Sequence, residues 1–87
     1  MRVDPDLGAI WFGLADEPAL TEKICAALAA QAVRREKLAW VVRVDLASPE
    51  GPMALFYDED GSAHLELPEL DLQARERAVA LLRAAGF

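Results

Sequence analysis

The sequence predicts an α+β domain: a small, mainly antiparallel sheet of three to four strands with two helices on one face, in the order β-α-β-β-β-α. Three observations carry that expectation. Eighty-seven residues fit one domain, 1–87, with a thin core. Apolar residues alternate with period two through the middle of the chain. Two stretches with helix-start signals and helical spacing flank that middle.

Residues 1–8 are rich in turn formers, with Asp4-Pro5-Asp6 and Gly8 bending the chain before Ala9-Ile10-Trp11-Phe12-Gly13-Leu14. This second stretch reads as a strand over 9–14. Ile10, Phe12 and Leu14 lie on one side and Trp11 on the other. Its expected partner is the 40–46 strand, reached through a helix crossover, or the sheet edge of another subunit.

Asp16-Glu17-Pro18 is a helix start: a capping carboxylate, an acid near the positive end of the dipole, and a proline where its missing N–H does no harm. The helix is expected to run from about 17 to 38. At 100° per residue, Leu20, Ile24, Ala27, Leu28 and Leu38 fall within an arc of about 80°, a core stripe that also takes in Gln31 and Arg35. Ala26, Ala29, Ala30 and Val33 form a roughly opposite strip of small residues, which would let another backbone approach closely.

A strand over 39–47 follows, with Trp40, Val42, Val44 and Leu46 alternating against Val41, Arg43 and Asp45. Ser48-Pro49-Glu50-Gly51-Pro52 reads as a loop. Strands over 53–58 and 62–67 then flank Asp60-Gly61, a dipeptide suited to a two-residue hairpin turn. That turn would set Phe56 opposite Leu65 and Ala54 opposite Leu67 on an apolar face, and Tyr57 opposite His64 and Leu55 opposite Glu66 on the other. Pro68 ends the strand, and Asp71 caps a last helix over 72–85 that buries Leu72, Ala78, Val79 and Leu82. Gly86 is the left-handed stop, with Phe87 folding back on Leu82.

Composition narrows the function. A net charge of −6 and a pI near 4.6 repel phosphate backbones, so direct nucleic-acid binding is not expected. The basic clusters Arg34-Arg35-Glu36-Lys37 and Arg75-Glu76-Arg77 are each interrupted by acid. No apolar run approaches the ~20 residues that span a bilayer, and the first residues lack the apolar core of a signal peptide. The lone Cys25 cannot form an internal disulfide, which makes the cytoplasm the expected compartment. From residue 17 onward the expected helix–three-strand–helix order is similar to that of double-stranded-RNA-binding domains and of small dimeric secretion chaperones. The likeness is one of element order.

Chemistry-bearing groups are few. Asp58-Glu59-Asp60-Gly61 resembles the start of a calcium loop. Counting from Asp58, however, Ala63 falls where glycine is required and Pro68 lies inside the loop, so a solvated turn is the expectation and no metal site is assigned. Cys25 has no nearby group to activate it and reads as a small apolar filler. Tyr57, His64 and Glu66 share a face in the expected register and are the one arrangement that suits acid/base work, the alternative to a binding function. Acidic mimicry of nucleic acid is a further alternative. No catalytic residue and no cofactor is assigned. The leading expectation is a non-enzymatic, self-associating protein-interaction or regulatory domain, an adaptor, inhibitor or chaperone-like protein. Its interface would comprise Trp11, Ala26, Ala29, Ala30 and Val33.

Overall fold

In the computed structural model, which describes all residues from Met1 to Phe87, the chain runs β1 (Arg2–Val3), β2 (Ala9–Leu14), α1 (Glu17–Leu28), β3 (Gln31–Leu38), β4 (Val41–Ser48), β5 (Gly51–Tyr57), β6 (Ser62–Glu66) and α2 (Leu72–Ala84). The strands form one antiparallel sheet in the order β1-β2-β6-β5-β4-β3. The α+β class is as expected, but the sheet has six strands rather than three or four. β3 to β6 form a continuous meander. The hairpin of β1 and β2 docks on its far side, with Ile10 opposite Leu65, so the partner of the first long strand is β6 and not the 40–46 strand.

The largest departure from expectation is the first helix, which ends at Leu28 instead of continuing to 38. Its start is as read: the Asp16 carboxylate accepts the Ala19 N–H at 3.2 Å. At its end Ala29 turns into the left-handed region, with φ 51°, and the Ala30 N–H closes onto the Cys25 carbonyl at 2.9 Å. This terminator usually uses glycine. A helix continuing to 38 would have turned Gln31 and Arg35 toward the core. As a strand, the same residues pair with β4 along their whole length and keep those polar groups in solvent. Tertiary pairing overrides the helical propensity of this segment.

Two turns are shorter or longer than expected. Between β4 and β5 the expected loop is a two-residue turn closed by Ser48 opposite Gly51. The Ser48 Oγ donates to the Gly51 carbonyl at 2.9 Å and accepts from the Glu50 N–H at 3.2 Å. Between β5 and β6 the link has three residues, Glu59 to Gly61, closed by Asp58 N–H to the Ser62 carbonyl at 2.8 Å. Gly61 takes φ +87°. The extra residue slides the register by one, so the β5 side chains change face while those of β6 stay where expected. Leu55 faces Leu65 and Tyr57 faces Ala63, whereas Phe56 faces His64 and Ala54 faces Glu66. Trp40, expected on the core face of its strand, sits in the two-residue turn Ala39-Trp40 instead.

One face of the sheet carries the core. Ile10, Val44, Leu46, Met53, Leu55, Tyr57, Ala63 and Leu65 pack under Leu20, Ile24 and Leu28 of α1 and Ala74, Ala78, Val79 and Leu82 of α2, with Leu67 and Leu70 closing the end. Leu72, expected to be buried, is exposed. Asp71 caps α2 by accepting the Ala74 N–H at 2.8 Å. Past Gly86, at φ +95°, the Phe87 N–H reaches the Leu82 carbonyl at 3.1 Å, and the Phe87 ring packs on the core and edge-on to Phe12. Both helices lie on this one face. No element covers the other.

Candidate functional site

The uncovered face is organised by a row that crosses the whole sheet. The strand registers set Arg2, Trp11, His64, Phe56, Arg43 and Glu36 side by side, one from each strand. The Arg2 guanidinium lies 4.9 Å from the centre of a Trp11 ring, and Trp11 and His64 stack at 5.9 Å. His64 and Phe56 stack at 5.1 Å with their planes 11° apart, and the Arg43 guanidinium lies 5.5 Å from the Phe56 ring. The rings therefore stand on edge and present their faces to one another, with a cation at each end. A base seeking an aromatic face to stack on finds those faces occupied.

The charges of this face are also partnered. His64 Nε2 lies 3.0 Å from Glu66 Oε2, Arg43 Nε 2.8 Å from Asp45 Oδ1, and Arg34 Nη2 3.2 Å from Glu36 Oε2. The His64 side chain is 18% exposed. Its Nδ1 is buried 3.5 Å from Asp58 Oδ2 without a hydrogen bond. A shallow concavity of about 550 Å³ beside the row is lined by Val33, Arg43, Asp45, Ala54, Phe56 and Glu66, among others.

Tyr57 is not part of this arrangement. It points to the opposite side of the sheet, where its hydroxyl donates to the Glu17 carbonyl at 2.8 Å. The expected acid/base trio is thus divided: His64 and Glu66 on the open face, Tyr57 in the core. Burial pushes the Tyr57 pKa up, and a hydrogen bond from Thr21 partly offsets it. Burial likewise raises the Cys25 thiol, which keeps it in the unreactive protonated form. In the β5–β6 turn the Asp60 carboxylate is taken up by the Ser62 N–H and hydroxyl at 2.9 and 2.6 Å, which lowers its pKa. No three His, Cys, Asp or Glu side chains converge to hold a metal ion.

The basic clusters serve the fold. Arg35 grips Glu17 through Nε at 2.6 Å and Nη2 at 3.1 Å, which holds the Glu17 carboxyl below the usual range. Arg75 donates to the Leu70, Pro68 and Asp6 carbonyls, and Arg77 pairs with Glu50 at 2.7 Å.

The structure scatters the five residues read as an interface. Trp11 is half-buried in the open-face row, and Ala26 is exposed on α1. Ala29 is the helix terminator, Ala30 lies in the link to β3, and Val33 sits in β3 at a bulge between the Ala32–Leu46 and Arg34–Asp45 pairs. The strip of small residues along one helix face does not form, because the helix stops within it, after Leu28. Sequence reasoning missed β3 itself, an eight-residue strand paired on one side only. The signal that could have found it was the entry of Gln31 and Arg35 into the supposed core stripe. On this hairpin Val33 is 61% exposed, Leu38 41% and Trp40 73%. No helix is long and apolar enough to cross a membrane. Comparison with family models, curated proteins and solved structures finds no match.

Proposed function

We propose that the protein is a non-enzymatic, self-associating interaction domain that makes its contact through the outer edge of the sheet, along β3 and the β3–β4 turn. One observation carries this reading: Val33, Leu38 and Trp40, all exposed, share a hairpin with an unpaired strand edge. An open edge offers backbone N–H and C=O groups to another chain, and the apolar side chains beside it supply area to bury. The groups that could do chemistry support the same reading from the other direction. His64, Glu66, Asp45 and Arg43 are engaged with each other and with the flanking rings, and Tyr57 is committed to α1.

The test is to replace Trp40 with a photo-crosslinking amino acid and irradiate the protein, both purified and in native lysate. A discrete covalent adduct with another copy is expected; an adduct with a different chain alone keeps the contact surface and overturns self-association. Irradiation that yields only the unmodified chain in both settings overturns the proposal.

A further inference from the structure

We infer that β3 pairs antiparallel with β3 of a second copy, across a twofold axis at Arg35, joining two six-stranded sheets into one. This rests on the interaction reading above and names its partner and register. Opposed residues of an antiparallel pair share a face, so a twofold pairing of β3 with itself must be centred on a residue. The charge order then selects among the centres. Centred on Arg35, the Arg34 and Glu36 that pair within one copy at 3.2 Å lie opposite Glu36 and Arg34 of the second copy, so the two ion pairs join into one alternating four-charge cluster on the open face. Centred on Glu36, that residue meets itself and Arg35 meets Lys37. Centred on Arg34, that residue meets itself and no opposite charges are opposed. Opposite charges across a strand pair stabilise it and like charges destabilise it.

The Arg35 centre brings two guanidinium groups together on the core face. Each is already held by its own Glu17 at 2.6 and 3.1 Å, which neutralises it. Away from the centre, the bulge at Val33 advances the pairing by one residue. Lys37 then comes opposite Ala32 of the second copy and Leu38 opposite Gln31. Trp40 reaches the Ala29–Ala30 link, where the side chains are small enough to leave room for an indole. The exposed Leu38 and Trp40 are covered by the same register that pairs the charges. The charges also make an arbitrary strand a poor partner, so one edge both resists general aggregation and recognises its own copy.

Sedimentation equilibrium of the wild-type chain, from sub-micromolar to a few hundred micromolar, should show exchange between 9.5 kDa and twice that mass. Arg34→Glu alone and Glu36→Arg alone should each weaken the dimer by roughly tenfold. The double variant Arg34→Glu/Glu36→Arg should recover wild-type association, a rescue that damage to the fold does not produce. In a Cys25→Ser background, Arg35→Cys should oxidise to a covalent dimer faster than Arg34→Cys or Glu36→Cys. A wild type that stays at 9.5 kDa throughout overturns the inference. So does a dimer indifferent to both charge reversals, or one that cross-links best at position 34 or 36. If the wild type is monomeric but position 40 photo-crosslinks to a different protein, this inference and the self-association fail, and only the contact through β3 and its turn stands. If position 40 captures no protein, that contact fails as well.

Discussion

Tyr57 is the sole tyrosine of the chain, so its ionisation can be followed by absorbance without interference from another. Its hydroxyl has one proton, which goes to the Glu17 carbonyl, so Thr21 is the donor in the 2.6 Å bond between the two hydroxyls. These bonds tie the first turns of α1 to β5. Burial raises the folded pKa above the unfolded value of about 10. The stabilisation is therefore complete below about pH 10 and is lost as pH rises through the folded pKa. We expect tyrosinate absorbance to appear at higher pH in the native protein than in denaturant, and the denaturation midpoint to fall over the same interval. Tyr57→Phe should cost about 1–2 kcal/mol at neutral pH and remove that part of the alkaline sensitivity. Coincident native and denatured titrations would contradict the burial argument.

Elements rather than residues decide where α1 stops, and there the chain accepts a cost. Ala29 occupies the left-handed region at φ 51°, a conformation that strains any residue with a Cβ. Ala29→Gly should relieve that strain and raise stability by roughly 0.5–1 kcal/mol, after allowing for the greater freedom of glycine in the unfolded chain. A thermal melt unchanged or lowered by Ala29→Gly would count against it. The same position shows what could be read from sequence. Both helix starts are legible because a capping carboxylate acts locally, three residues from the N–H that donates to it, at Asp16 and at Asp71. The end of α1 is not, because alanines lead out of the helix with no glycine, asparagine or proline to mark the break. Asp60-Gly61 correctly announces a hairpin, but the dipeptide does not state whether two or three residues bridge it. One residue of loop length decides whether Tyr57 meets His64 or turns its back on it.

At the scale of the whole molecule, one layer of helices on one face of a sheet makes a thin core, with no buried polar or charged residue in it. Each large member then carries much of the stability of a small domain. Leu65, on β6 between β2 and β5, is completely buried. Leu65→Ala should destabilise by about 2–5 kcal/mol in denaturant unfolding, and a loss below about 1 kcal/mol would mean that the sheet rearranges to fill the space. The candidate edge was illegible from sequence for a reason that belongs to this scale. Being an edge is a property of sheet order, and β3 becomes one only because β2 docks at the opposite side of the meander, on β6.

That docking also sets a timetable for synthesis. β2 leaves the ribosome well before β6, the strand that ties its hairpin to the rest of the sheet. Until β6 emerges, Ile10 and Trp11 have only β1 beside them, and Trp11 lacks the His64 ring it stacks on. Non-local pairing of this kind is slow to form and leaves apolar strand surface exposed in the interval. The nascent chain therefore passes through a period in which the β1–β2 hairpin has been made without the strand that anchors it to the sheet.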